Sequence, residues 1–355
     1  MISSACPQAS FWKDKRILVT GHTGFKGSWL TLMLSQLGAH VMGASLQPGT
    51  EPNLFDLANI QSLCDSAICD IRELDTLKEM ARRADPEIVF HLAAQPLVRA
   101  SYAEPVQTFT TNVMGTVNVL SALTAAPNFR VGVFITTDKV YENREWLWPY
   151  REEDRLGGHD PYSASKAASE LAVASFRKSF FEQKGVAIAT ARAGNVIGGG
   201  DWSTDRLLPD AIRAWQAGNV LNLRNPSSIR PWQHVIEPLA GYLVLVEALS
   251  AKPTLAGSWN FGPAPNEAIS VGKVIELARD AWGDARVTYD TDLGPHESSR
   301  LALDTSKATE ILGLMPRWDV NEAVRRTVHW HRNLNDGQNA RDLCCADLRA
   351  WGMQP

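Results

Sequence analysis

The sequence has no run of about 18 consecutive apolar residues, which argues against a membrane-spanning helix. The first residues, MISSACPQASFWKDKR, carry no basic segment leading into an apolar one, so they do not read as a secretory signal. A cytoplasmic protein is therefore expected. Cysteine is scarce: Cys6, Cys64, Cys69, Cys344 and Cys345 make an odd number with no C-x-x-C pair. That excludes a disulfide framework and a cysteine zinc site, and suits a reducing compartment. His329 and His331 stand two apart on a predicted helix and point to different faces, so no metal site is expected. An excess of charge of one sign is also missing, with 35 Lys and Arg against 39 Asp and Glu. The net charge of −4 supplies no broad cationic field for nucleic acid or for an anionic membrane. Repeats and low-complexity tracts are absent. What is present is a chain of 355 residues, 45% apolar and 21% charged, long enough for two domains or one large α/β unit with an appendage.

The first half alternates strand-like and helix-like segments. Ile17–Thr20, His40–Ala44, Glu87–Leu92, Val131–Thr136 and Val186–Arg192 read as strands. Phe25–Leu37, Ile71–Ala84, Val106–Leu123 and Tyr162–Lys184 read as helices. Such alternation predicts an α/β fold, a Rossmann-type doubly wound parallel sheet. After about Gly194 the rhythm weakens and glycine, proline and polar residues cluster. Helical segments recur at Pro209–Gly218, Glu237–Leu249, Ser270–Gly283 and Asn321–Asn335. The division expected is a dinucleotide-binding domain over 11–193, mainly a substrate lobe over 194–335 with segments returning to the sheet, and a loosely attached tail over 336–355. Twelve scattered Trp residues read as core and interface packing.

The first specific motif is Gly21-His22-Thr23-Gly24-Phe25-Lys26-Gly27, a G-x-x-G-x-x-G directly after a strand and opening a helix. Glycine lets the backbone turn tightly and approach a pyrophosphate, and the helix N-terminus offers free N–H groups. Dinucleotide binding is the reading. At the end of the second strand, where NAD sites often place an acid, the sequence has Ser45 instead. No arginine follows for a 2′-phosphate, so NAD is favoured over NADP. Asp70 has two readings: a carboxylate reaching the adenine, or the N-cap of the helix after it.

The second motif is Tyr162-Ser163-Ala164-Ser165-Lys166. At i and i+4 the phenol and the ammonium share a helix face, and the lysine is expected to lower the phenol's pKa toward neutrality. Such a phenolate can take a proton from a sugar hydroxyl. Thr136-Thr137-Asp138 ends an apolar strand, where that hydroxyl would lie.

The glycine loop, His91-Leu92-Ala93-Ala94, Asn112, Thr137 and Tyr162/Lys166 together resemble the extended short-chain dehydrogenases/reductases, in order from about Arg16 to Trp330. Within that family, Thr136–Tyr141 resembles the active-site strand of nucleotide-sugar 4,6-dehydratases. Most of those carry Thr-Asp-Glu, whereas the third position here is Lys139. This departure, with HLAAQPLVRAS at 91–101, AGNVIGGGDW at 193–202 and IRPWQH at 229–234, resembles the branch acting on CDP-D-glucose.

The resemblance implies a lyase that oxidises C4, eliminates water across C5–C6 and returns hydride to C6, with NAD as a bound catalyst, as in deoxysugar and lipopolysaccharide biosynthesis. Tyr162 would take the C4 hydroxyl proton, Thr137 would hold the sugar hydroxyl and Lys166 the nicotinamide ribose. Asp138 would protonate the departing hydroxide. Lys139 would be the C5 base, stabilise the enolate, or poise a water. Thr23, Phe25, Lys26, Ile71, Leu92, Ala93, Ala94 and Thr111 would join the three loop glycines, Ser45 and Asp70 at the cofactor. Gln95, Asn195, Arg206, Leu207, Arg224, Arg230, Asn266 and Arg300 would bind the nucleotide sugar. A homodimer or homotetramer is implied, with the helices at 106–123 and 162–184 paired across a two-fold axis. Another nucleotide-sugar 4,6-dehydratase or a 4-epimerase is the alternative enzyme. A non-catalytic dinucleotide sensor is the alternative outside enzymes.

Overall fold

The computed structural model describes residues 4–264, 267–289 and 301–353. Its centre is a seven-stranded parallel sheet. In chain order the strands are β1 (Arg16–Thr20), β2 (His40–Ser45), β3 (Asp65–Ile68), β4 (Ile88–His91), β5 (Val131–Ile135), β6 (Ala187–Ala193) and β7 (Gly257–Phe261). The order across the sheet is β7-β6-β5-β4-β1-β2-β3. The order in which strands are added therefore reverses between β1 and β4, and a crevice opens at the C-terminal ends of the strands there. β4, β5 and β6 are buried at every position, as central parallel strands covered on both faces must be.

The helices of eight residues or more are α1 (Phe25–Gln36), α2 (Leu74–Ala84), α3 (Gly115–Leu123), α4 (Pro161–Phe176), α5 (Leu207–Gln216), α6 (Ile236–Ala251), α7 (Val271–Trp282), α8 (Val320–Asn335) and α9 (Ala340–Trp351). α1 and α6 are buried on nearly all sides because they pack between the sheet and other helices. α4 starts where Asp160 caps the Ser163 N–H at 2.9 Å and Pro161 occupies the first turn. A small second core around Trp215, Trp232, Val274 and Val324 belongs to the later half of the chain.

Most expected elements are present, with informative differences. The helix expected from Ile71 begins at Leu74, after a turn. The segment from Val106 is a short helix (Pro105–Phe109), a π-turn (Thr110–Met114) and then α3. β3 and β7 were not expected: β3 is a half-exposed edge strand, and β7 carries Gly257 and Asn260 in a five-residue run. The segment 336–355 was expected to be a loose tail. Instead α9 inserts Leu343, Cys344, Leu348 and Trp351 into the main core, and the buried Met353 follows. Its apolar face repeats at helical spacing, and burying each large side chain is worth roughly 1.5–3 kcal/mol.

Candidate active site

A cavity of about 1170 Å³ opens over the C-terminal ends of the strands. One end is formed by the glycine loop. Gly21 adopts φ +78°, and a Cβ there would lie 2.7 Å from the Ala93 nitrogen. At Gly27 a Cβ would overlap the Gly21 carbonyl oxygen. At Gly24 a Cβ would meet only the Gly21 carbonyl oxygen, at 3.5 Å, so this glycine sits at the open side of the turn. α1 begins with no side-chain cap, which leaves its first N–H groups for a ligand. Lys26 lies in the first turn, where the helix dipole disfavours a cation. Burial, with Arg206 and Lys166 nearby, pushes its ammonium down to about 7, against Asp138 and Asp201. A glycine cradle, uncapped N–H groups and a crowded cation all fit a dinucleotide pyrophosphate.

The rest of the expected cofactor wall is continuous: Thr23, Phe25, Ser45, Asp70, Ile71, Leu92, Ala93, Ala94 and Thr111 all line the cavity. Thr23 and Ser45 hydroxyls are bonded to each other at 2.8 Å. Asp70 is not a helix cap, since the residue before α2 is Glu73. Its carboxylate is held by the Arg72 guanidinium at 2.5 and 2.9 Å, which keeps it below the usual range. Arg72, which sequence reading missed, lines the same wall.

The catalytic candidates converge at the end of β5. Tyr162 is buried, and the Thr137 side chain is near enough to favour its ionised form. The Thr137 hydroxyl donates to Asp138 Oδ1 at 2.9 Å, and Lys139 Nζ reaches the same oxygen at 3.4 Å. Asp138 is fully buried, and its Oδ2 has no partner. The Lys139 side chain is 32% exposed and lines the cavity. The expected lowering of the Tyr162 pKa is not what the structure gives. Burial pushes the phenol up to about 12, with Thr137 and Arg206 opposing. Lys166 instead donates to the Ile135 carbonyl at 2.8 Å, and burial lowers its own pKa to about 8.

Asn195, Arg206, Leu207, Arg224 and Arg230 also line the cavity. Asn195 Oδ1 is buried without a partner, and Arg206 is paired to the buried Asp201 at 3.1 Å. Asp201 and the buried His331 are wall residues the motifs did not point to. Gln95 also lines the cavity, but it was expected to offer its amide to a substrate. Its Nε2 donates to Leu97 O and Thr108 Oγ1, and its Oε1 accepts from the Leu97 N–H. That amide braces its own loop. Asn112, in the π-turn, accepts from the Gln95 N–H at 2.8 Å and donates to Ser165 at 2.9 Å, tying this loop to α4. Asn266 and Arg300 lie outside the described residues. Among the described residues, no group of three or more His, Cys, Asp or Glu side chains could hold a metal ion. No helix there is long and apolar enough to cross a membrane.

The model of the GDP-mannose 4,6 dehydratase family matches residues 18–327. The chain belongs to that family, within the extended short-chain dehydrogenases/reductases. It is 48% identical over 330 residues to the CDP-glucose 4,6-dehydratase of Salmonella typhimurium, covering 91% of this chain and 92% of that one. Among solved structures, a UDP-glucose 4-epimerase of Thermotoga maritima with UDP-glucose superposes with a TM-score of 0.79 at 22% identity, over 90% of this chain and 99% of that one. A UDP-glucose 4-epimerase of Stenotrophomonas maltophila with bound NAD gives 0.77 at 21% identity, over 91% of this chain and 100% of that one. At that identity these two show the Rossmann-type fold alone.

Proposed function

We propose that this chain converts CDP-D-glucose to CDP-4-dehydro-6-deoxy-D-glucose and water, with NAD as its bound cofactor. The 48% identity to a CDP-glucose 4,6-dehydratase over nine-tenths of the chain supports the nucleotide and the reaction class. The observation that carries the chemistry is the line of contacts from Tyr162 through Thr137 and Asp138 to Lys139. A 4-epimerase uses a phenol and a hydroxyl but has no water to expel, so an acid joined to Thr137 favours dehydration.

The glycine loop, Lys26, Ser45, Asp70 and Lys166 would hold the cofactor. When bound, NAD supplies the acceptor that takes hydride from C4 and returns it to C6, so no net oxidation occurs. Thr137 orients the C4 hydroxyl, and Tyr162 takes its proton. A phenol pushed up to about 12 by burial is a strong base once ionised. Thr137 and Arg206 oppose that burial. Oxidation at C4 acidifies the C5 hydrogen. Elimination needs that proton removed and the C6 hydroxyl protonated. Asp138, whose Oδ2 has no partner inside the protein, is the proton donor for the departing hydroxide. Lys139 accepts the C5 proton or steadies the enolate. Arg206, Arg224 and Arg230 supply cations for the diphosphate, and Asn195 an amide for the sugar phosphate.

Val106, Phe109, Met114, Leu171 and Phe180 are exposed on the helices at 105–123 and 161–181. These apolar side chains support pairing of two copies across those helices.

A substrate panel tests the reading. Protein with NAD is incubated with CDP-, dTDP-, UDP- and GDP-hexoses, and 4-keto-6-deoxy sugars are read by their alkali-induced absorbance. Signal with CDP-glucose is expected; silence with all four would sink the dehydratase reading.

A further inference from the structure

Behind the cavity lies a charged cluster that the proposed chemistry does not use. Glu170 and Arg192 are both almost fully buried, each with a side chain 2% exposed. Arg192 Nε and Nη2 donate to the two Glu170 oxygens at 2.9 Å each. Thr136 and Thr190 donate to the same carboxylate at 2.5 and 2.6 Å. Ser258 on β7 donates to it at 3.2 Å. The second arm of Arg192 donates to the Tyr141 hydroxyl at 2.8 Å and to the Glu152 carbonyl at 3.0 Å. Tyr141 in turn donates to Asn260 Oδ1 at 2.7 Å. Each polar atom of this buried pair has a partner, across α4, the end of β5, β6, β7 and the turn that carries Asp138 and Lys139.

A buried ion pair is a poor way to gain stability, because desolvation cancels much of its Coulombic gain. What it does supply is a fixed geometry. Tyr162, Lys166 and Glu170 follow one another at intervals of four on one face of α4. They meet three consecutive residues at the end of β5: Lys166 bonds the Ile135 carbonyl, Glu170 bonds the Thr136 hydroxyl, and Tyr162 lies by the Thr137 side chain. Glu170 also acts on Lys166 directly. It is the group whose charge opposes the lowering of the Lys166 pKa by burial. The other titratable groups around Lys166 are Tyr162 on α4, Lys26 from α1 and His91 from β4; Lys26 and His91 both feel its charge.

We propose that Glu170, anchored by Arg192, is a positioning residue: through Thr136 it fixes the strand end bearing Thr137 and Asp138 against the helix bearing Tyr162 and Lys166, and it sets a carboxylate one helical turn from the Lys166 ammonium. This rests on the catalytic roles assigned above.

The test uses Thr136→Val, Thr136→Ser and Glu170→Gln in the full chain. Thr136→Val removes the tie and leaves the ion pair. It is expected to lower kcat about tenfold or more with KM within about twofold, and Thr136→Ser is expected to restore the rate. Glu170→Gln is expected to move the alkaline limb of the kcat profile to lower pH, because Lys166 loses its supporting charge. Thr136→Val leaves that limb in place. The Lys166 13Cε resonance, assigned through its loss in Lys166→Met, reads the same shift without turnover. A wild-type rate in Thr136→Val, or an unmoved Lys166 titration in folded Glu170→Gln, would overturn the proposal. Should Glu170→Gln fail to fold, the Val and Ser pair decides. Wild-type protein that converts no nucleotide sugar would count against the catalytic roles alone, since the Lys166 titration still tests Glu170.

Discussion

Thr137 donates its hydroxyl proton to Asp138 Oδ1 at 2.9 Å, and the same side chain acts on the buried phenol of Tyr162. In the proposed reaction, the hydroxyl that steadies the sugar thus stands between the proton acceptor of the first step and the proton donor of the second. In that reaction the negative charge that Tyr162 loses on taking the C4 hydroxyl proton is felt at Asp138 before water leaves.

Tyr162→Phe removes the proton acceptor and leaves the helix intact. Turnover is expected to fall by ~10²–10⁴-fold, the usual contribution of a positioned acid or base. The measurement is 4-keto sugar formation beside a thermal melt, and a near-normal rate would exclude the phenol from the reaction.

Asp138→Asn keeps the acceptor for the Thr137 hydroxyl but cannot supply a proton as an acid. Oxidation at C4 is expected to continue while dehydration slows by ~10²-fold or more. The near-ultraviolet absorbance of reduced cofactor should then build up without alkali-labile product. Product formed at the normal rate would remove Asp138 from the elimination step.

Lys26 gives a pH dependence with a definite sign. Its ammonium, pushed down to about 7, is protonated below that pH and neutral above it. An anionic cofactor prefers the charged form, so its binding raises the Lys26 pKa and takes up a proton. NAD affinity is therefore expected to weaken as pH rises through about 7 toward the pKa of the bound state. Lys26→Met is expected to bind more weakly and with a flatter profile between pH 6 and 9, read by titration calorimetry in the absence of sugar. An unchanged slope would assign the pH dependence to another group.

Trp351 is 3% exposed, carries the Arg317 guanidinium over its ring and donates to Glu237 at 2.8 Å. Trp351→Ala is expected to cost ~3–5 kcal/mol of stability. Chemical denaturation checks this, and a loss below about 1 kcal/mol would contradict the packing described for α9.

Val106→Glu combined with Leu171→Glu places charge on the exposed helical face. Sedimentation velocity is expected to show a monomer where the unaltered chain shows a dimer or larger species. An oligomer that survives both changes would move the contact to another face.

The legible parts of the sequence were those with a local cause. The strand, the glycine turn and the uncapped α1 are fixed by neighbouring residues, so Gly21–Gly27 could be read directly. Tyr162 and Lys166 share a face because four residues make about one helical turn. What was not legible depended on partners distant in sequence. Lys166 is spent on Ile135, and Gln95 on Leu97 and Thr108, and no spacing rule announces either contact. The Tyr162 pKa was misjudged because burial outweighs charge there, and burial is a property of the assembled cavity. Arg72 escaped notice because its place was set by β3, an edge strand with little pattern of its own.

The last helix also governs when the molecule can be finished. Ser4 is held by Met315 and Arg317, Arg317 bonds the carbonyl of Trp351, and α9 fills the same core as β1. During synthesis the sheet and the helices against it can form early, but the outer apolar side of this core stays uncovered until the residues around 350 emerge. Contacts over such sequence separations form slowly and expose the chain to aggregation meanwhile. A ribosome-bound chain stopped at about residue 335 would therefore be a client for chaperones, although every residue lining the cavity has already been made.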